Sequence, residues 1–500
     1  MSAPKSRDSQ PPSVVRSSHP PSLHAGVSVS SRSSAPPPEA AGFFELVRLA
    51  LSGVEQDFTE LPLRRAVFLL AVPMVMEMAM ESLFAIADIF WVSRLGAHAV
   101  ATVGLTESLL AMIYAVAVGL SLAATATVAR RVGERDLRGA SVAAAQVLSL
   151  AVVVSIAIGV AGVAWGGTLL EQMGAAPEVL AMGSDYARIM LGGSISVVLL
   201  FAFNAVFRGA GDATTAMHSL WLANLANIIL GPIFIFGFGP VPAYGVTGAA
   251  VATTLGRSLG VCYQLWRMLR RSGRLQVMLS DLRPRMDVIS GLLRISGTGT
   301  LQTMLETASW LGLVRILSSF GSVALAGYTI AMRIAIFALL PSWGLSNAAA
   351  TLVGQNLGAN KPERAERAVW SVGLYNLIFL GGVSVVFVGL PGPIAGLFTS
   401  DPQELRYAVD CLRTVAFGFL CYAYGMVIVQ AFNGAGDTRT PTLLNLACFW
   451  CFKIPLAYVL ALPLGMGPDG VFLSVTAAYS LLALLAVLLF RRGTWKTQRV

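Results

Sequence analysis

The chain has 500 residues, of which 55% are hydrophobic and only 12% charged, and it carries 49 glycines. That is more apolar surface than an aqueous fold of this length can hide, so a soluble enzyme, a nucleic-acid binder and a secreted disulfide scaffold are excluded as first readings. A mean hydropathy of +0.70 points instead to a polytopic membrane protein.

Residues 1–58 are rich in Ser and Pro, with Arg7, Arg16 and Arg32 and almost no apolar run before Phe43 and Phe44. This composition predicts a disordered tail with no secretory signal, within which 43–58 can form a short interfacial helix. From Leu61 onward there are twelve apolar spans, at 65–92, 98–128, 140–167, 183–207, 214–238, 246–270, 290–318, 323–350, 367–390, 407–432, 441–463 and 469–490. Each is near the ~20 residues that cross a ~30 Å hydrocarbon core.

The net charge of +9 is spread in alternate gaps. Basic clusters stand at Arg130–Arg138, Arg267–Arg285, Lys361–Arg367 and Arg491–Arg499, whereas 166–180, 238–246 and 463–470 carry no Lys or Arg. Arg94 and Arg406 are single exceptions. The positive-inside rule makes the basic gaps and both termini cytoplasmic, so the charge reports orientation and no nucleic-acid partner.

The chain repeats itself at a constant offset. Gly119-Leu120-Ser121 falls on Gly344-Leu345-Ser346, Gly133 on Gly358, and Gly209-Ala210-Gly211-Asp212 on Gly434-Ala435-Gly436-Asp437. The expected fold is therefore all-α integral membrane, with twelve transmembrane helices in two pseudo-symmetric six-helix lobes. The boundaries are a tail 1–58, an N-lobe 59–270, a cytoplasmic basic linker 271–289, a C-lobe 290–490 and a cytoplasmic tail 491–500. Paired bundles of this kind place a substrate site at their interface and alternate its access, so a carrier is the default reading. Asp212 and Asp437 are expected to cap the helices after them.

An ionised carboxylate at mid-bilayer costs ~2.5–3.5 kcal/mol on insertion scales, which makes acids inside spans functional candidates. Glu77, Glu81 and Asp88 share one face of the first span, because offsets of 4 and 11 fall within about 40° on a helix. Glu107 lies in the second span, and Glu306 in the seventh is the repeat equivalent of Glu81. Crowded carboxylates hold a proton that an arriving cation displaces, which is the physics of an antiporter. For Glu77 and Glu107 a second reading stands equally: ties that join helices by hydrogen bonds. Arg333 and Lys453, also inside spans, are read as structural. Cys448 and Cys451 form a CxxC in mid-span with no strand nearby, and are read as core-filling.

At these residues the chain resembles the multidrug and toxic compound extrusion (MATE) family, over about residues 61–490. The resemblance rests on Asp88 before Leu95-Gly96, the Gly-Leu-Ser of both halves, and the Asn-x-x-x-Arg-Gly-x-Gly-Asp run at 204–212. It rests also on Gly248-Ala249-Ala250-Val251-Ala252-Thr253, Val353-Gly354-Gln355-Asn356-Leu357-Gly358-Ala359 and Phe432-Asn433-Gly434-Ala435-Gly436-Asp437-Thr438. It implies two six-helix lobes forming a V and exporting small organic cations or amphipathic drugs in exchange for H⁺ or Na⁺. No cofactor or metal is implied beyond that coupling ion.

By the same resemblance, Asp88, Asn227 and Thr253 match an N-lobe cation site, while Gly231 stands where that site has a further Asp. Glu306 matches the seventh-helix acid of a second branch, whose tenth-helix Asp is replaced by Tyr422. The expected coupling set is therefore Asp88, Glu81, Glu306, Glu77, Asn227 and Thr253, with Glu107 and Tyr422 in the substrate cavity. Glu77, Glu81 and Glu107 are expected to stand in for the missing N-lobe Asp.

An intramembrane enzyme would need a nucleophile–base pair or a metal cluster, and the four histidines neighbour neither Cys nor acid at ligand spacing. The remaining alternative is a lipid-linked oligosaccharide flippase of the same superfamily, which would want basic residues in its cavity. A monomer in a bacterial inner (plasma) membrane is the expected setting.

Overall fold

Lipid offers the backbone no hydrogen-bond partners, so a spanning segment must satisfy its own N–H and C=O groups, and long apolar runs become helices. A computed structural model describes residues 42–53, 56–270 and 273–498. The body of the chain is a single unit running from Phe44 to the C-terminus.

After α1 (Phe43–Leu51) come the six spans of the N-lobe: α2 (Leu63–Ser93), α3 (Ala97–Gly133), α4 (Leu137–Gln172), α5 (Pro177–Gly192) with α6 (Ser194–Ala210), α7 (Ala213–Phe236) and α8 (Val246–Leu269). The C-lobe repeats them as α9 (Met286–Leu317), α10 (Ser322–Gly358), α11 (Pro362–Gly389), a short α12 (Pro391–Ala395) before α13 (Pro402–Gly434), α14 (Arg439–Asn445) with α15 (Ile454–Ala461), and α16 (Pro468–Arg491).

Twelve spans are present among the described residues, with three differences from expectation. The fourth is broken at Gly193 into α5 and α6. The eleventh is interrupted between α14 and α15 by a π-helix, Leu446–Lys453. Pro455, just beyond it, has no N–H to carry an α ladder back to Cys451. Several helices also outrun the bilayer: the 37 residues of α3 and of α10 reach about 55 Å at 1.5 Å per residue.

Ten of the helical segments are long and apolar enough to cross a membrane. The two spans that fall short are α8 and α9, which carry Thr253 and Glu306.

Residues 1–41 of the expected tail lie outside the described residues; within the 43–58 stretch expected to be able to form a short helix, α1 is helical and a turn follows at Asp57–Glu60. The linker is docked: a 3-10 turn at Leu279–Leu282 lies on α4, where Asp281 pairs with Arg138 and the Gln146 amide donates to the carbonyls of Asp281 and Arg283 at 2.5 and 2.9 Å. Burial alone would raise the Asp281 carboxyl, but the bonds from Arg138 and the Met278 N–H hold it below the ordinary carboxylate range. In the C-terminal tail Trp495 is fully buried.

The two lobes meet through repeat-related crossings, α2 on α10 and α3 on α9. Where α3 and α10 converge at the basic face, a Cβ on Gly133 would collide with the Gln355 carbonyl, and one on Gly358 with the Arg130 carbonyl. Only glycine allows the crossing, and these two glycines are each other's repeat equivalents. Gln355 Nε2 reaches across to the Gly209 carbonyl at 3.0 Å, and Arg130 to the Gln498 carbonyl at 2.7 Å.

A strap from Gln56 to Leu61 runs over the same face. Arg364 of α11 donates to the Phe58 carbonyl at 3.0 Å and to that of Leu61, and Lys361 donates to Thr59 O at 3.1 Å and Glu60 Oε1 at 2.8 Å. From the other lobe Arg135 faces Glu60 at 3.5 Å, and Arg274 of the linker donates to the Gln56 carbonyl at 2.9 Å.

Candidate functional site

The expected N-lobe residues fall into two groups. Glu77 is wholly buried, accepting from Arg208 Nη1 at 2.8 Å and from Asn204 Nδ2 at 3.1 Å. Asn204 in turn accepts from Ser219 Oγ at 3.0 Å and from Gln264. Four helices are tied together in this network, and its acid already has a permanent counter-ion.

The second group surrounds the α7–α8 seam. Gly256 lets α8 close on α7, since a Cβ there would stand 2.5 Å from the Ala223 carbonyl. That approach brings Asn227 Nδ2 to within 2.7 Å of Thr253 Oγ1, so the structure pairs the two residues expected to share a site. One turn further along α8, Arg257 lies on the same face as Thr253. Its guanidinium stands 5.5 Å from the Tyr114 ring centroid, bonds the Tyr114 side chain, and is within electrostatic reach of Glu81 and Asp88.

Glu81 accepts from Asn224 Nδ2 at 2.9 Å. Asp88, half-buried, faces both Glu107 and Arg257, and Glu107 is within reach of Arg333 from the other lobe. At Gly231 a Cβ would make only ordinary contacts, 3.8 Å from Trp91 and 4.0 Å from Asn227 Oδ1, so a side chain could be accommodated beside this group.

The C-lobe group is separate. Glu306, half-buried on α9, lies within reach of Lys453 and of the phenols of Tyr422 and Tyr479. Tyr422 stacks on Tyr479 with ring centroids 4.1 Å apart, and Phe449 meets Tyr479 edge-on at 6.3 Å. Buried Lys453 donates to Ser309 Oγ at 2.8 Å and stands 4.5 Å from the Phe449 ring centroid. No group of three or more His, Cys, Asp or Glu among the described residues is arranged to hold a metal ion.

Sequence reasoning did not single out Arg208, Arg257, Tyr114 or Tyr479. A signal was available for Arg257, a cation deep inside an apolar span that carries the same insertion cost that drew attention to the acids, and for Arg208, the Arg of the run at 204–212 just past the expected end of the fourth span.

The family model MatE matches residues 73–233 and 300–459, one match in each lobe. The chain is 26% identical over 439 residues to a probable multidrug resistance protein, NorM, of Thermotoga maritima, covering 88% of this chain and 94% of that protein. It is 24% identical over 388 residues to an FAD transporter of Shewanella oneidensis, covering 78% and 85%. Among solved structures it resembles a MATE multidrug resistance transporter in an outward-facing conformation, with TM-score 0.84 and 26% identity over 89% of this chain and 98% of that one. A MOP superfamily transporter from Pyrococcus furiosus is similar at TM-score 0.83 and 26% identity, over 90% and 99%.

Proposed function

Because the chain belongs to the MatE family of integral membrane transporters, we propose that it is a multidrug exporter that expels small organic cations or amphipathic compounds in exchange for H⁺ or Na⁺. The observation that carries this reading is the N-lobe cluster. Glu81 and Asp88 of α2 are drawn toward one buried guanidinium, Glu107 of α3 faces Asp88, and the Asn227–Thr253 pair lies one turn away on the seam. Two carboxylates beside Arg257, and a third, Glu107, between Asp88 and Arg333 of the other lobe, leave a charge balance that a proton, a sodium ion or a cationic substrate can complete. Binding one displaces another, which is the elementary step of exchange. Glu77 serves differently in this reading, holding α2 to α6 through Arg208 so that Glu81 and Asp88 are presented on a fixed helix.

The lobes are joined at the basic face by the Gly133–Gly358 crossing and by the strap at residues 56–61, so this face is closed, and in the reading proposed here the cavity opens on the opposite side. With the positive-inside orientation, the basic face and both ends are cytoplasmic and the open side is external. The chain works as a monomer in a bacterial inner membrane, and its cycle rocks one lobe against the other.

The test is ethidium efflux from proteoliposomes holding the purified protein, with H⁺ and Na⁺ gradients imposed separately. Efflux driven by one gradient and lost in Asp88→Asn identifies the antiporter and its ion. A folded protein that moves ethidium under neither gradient sinks the reading.

A further inference from the structure

The two halves keep one register, that of Gly119 on Gly344, up to the tenth span and then slip by a single position. Asp212 caps Thr215, and Asp437, its equivalent in that register, caps Thr440. Further along the same helices, Gly248 packs on Phe234 while Gly470 packs on Leu460, and Leu460 lies one place past the position that the register assigns to Phe234. The π-helix Leu446–Lys453 lies between these two landmarks and accounts for the added residue. With that slip included, the residue that corresponds to Asn227 is Lys453. At the place where the N-lobe has a neutral amide, the C-lobe has an ammonium.

That ammonium is held firmly. Lys453 is 7% exposed, its Nζ donates to Ser309 Oγ at 2.8 Å, and it stands over the Phe449 ring. Ser309 Oγ itself donates to the Glu306 backbone carbonyl at 2.7 Å, so the amine is anchored one turn of α9 from the acid and acts on its carboxylate through the field, without a direct ion pair. Around them stand Tyr422 from α13 and Tyr479 from α16, with Cys411 behind Tyr479. No other charged side chain acts on Glu306 in this pocket.

We propose that Lys453 is the resident cation of the C-lobe: it occupies the role of an exchangeable ion at Glu306, so the C-lobe takes up no Na⁺ and ion exchange is confined to the N-lobe. The functional consequence rests on the antiporter reading above, but the occupancy of the site does not. A tethered ammonium neutralises the acid at an effective concentration that a free ion cannot match. Its positive charge also repels a second cation from the same pocket.

The test is Na⁺-dependent thermal stability of the purified full-length chain in detergent, with NaCl compared against choline chloride at equal ionic strength. Any ligand that binds only the folded state raises Tm. The wild type and Glu306→Gln should show the same Na⁺ response. Lys453→Asn should gain a Na⁺-dependent rise in Tm that the double variant Lys453→Asn/Glu306→Gln lacks, and Lys453→Arg should gain nothing. A Glu306-dependent Na⁺ response in the wild type overturns the proposal, and so does a folded Lys453→Asn protein with no gain. If Lys453→Asn does not fold, the comparison of wild type with Glu306→Gln decides alone. Because the readout needs no transport, a protein that fails to move ethidium defeats the antiporter reading without deciding this one.

Discussion

In the N-lobe Glu77 faces Arg208 and Glu81 faces Asn224; at the corresponding places in the C-lobe stand Gln302 with Asn433, and Glu306 with Phe449 and Trp450. One half thus commits an ion pair to holding its first helix and keeps its other acids beside neutral or shared partners. The other half has neutral amides at those scaffold positions and gives Glu306 a lysine. The difference is sharpest in the last helix of each lobe. Gly245 and Gly467 cap these helices with left-handed φ of 57° and 60°, and in that register Arg257 corresponds to Tyr479. A guanidinium beside two carboxylates has become a phenol beside one. A fold built by duplication has kept its backbone and divided its electrostatics.

The largest expected effect tests the scaffold half of this contrast. Arg208→Met leaves Glu77 buried without its counter-ion and should cost about 3–5 kcal/mol of stability. Asn433→Ala, the counterpart in the C-lobe, removes only a neutral amide and should cost about 1–2 kcal/mol. Thermal unfolding in detergent measures both, and equal losses would break the comparison. Restoring neutrality with Glu77→Gln should recover much of the Arg208→Met loss.

Next comes the point where the halves are alike. Gly133→Ala and Gly358→Ala each force a methyl into the opposite helix's backbone and should cost about 1–3 kcal/mol apiece, by similar amounts. Unequal losses would mean that the crossing is less symmetric than its sequence. Below that, Thr253→Val removes the acceptor of the Asn227 amide and should cost about 1 kcal/mol, with weakened efflux in the proteoliposome assay.

The smallest effect is one of pH at the basic face. The carboxyls of Asp57 and Asp281 are both held below their ordinary value, Asp57 by Thr59, Arg274 and Arg135 against the opposing effect of burial. Their contribution is complete above the unfolded value of about 3.9 and is lost as pH falls through the folded values. Arg138→Ala should therefore destabilise the docked linker by about 0.5–1 kcal/mol near neutral pH, since Arg138 is half exposed, and by less in acid. A pH series of melting curves, wild type against variant, measures it.

Helix number and the two-lobe repeat were legible because hydropathy and glycine spacing act along the chain and need no tertiary information. Asn227 and Thr253 could be named from the family resemblance, and Glu306 from its repeat position. The break of the fourth span at Gly193 was also foreshadowed by adjacent glycines at 192 and 193. The π turn was not, because one inserted residue inside a uniformly apolar stretch leaves hydropathy unchanged and only rotates the positions beyond it. Lys453 therefore read as an isolated polar mark until its register was known. The strap escaped notice for the opposite reason. A short polar run after a Ser/Pro-rich stretch has the composition of a tail, and what orders it is arginines contributed from three other segments.

That strap sets a condition on turnover. For the protein to open on its basic face, the carbonyls of Phe58 and Leu61 and the carboxylate of Glu60 must part from cations on one lobe or the other. These are charge-assisted contacts in water, sensitive to ionic strength over a Debye length of ~8 Å. The rate at which the basic face opens would thus rise with the ionic strength of the solution that bathes it, at a step remote from both acid clusters. Direction would be governed by the gradient across the membrane, and pace by the electrolyte on one side of it.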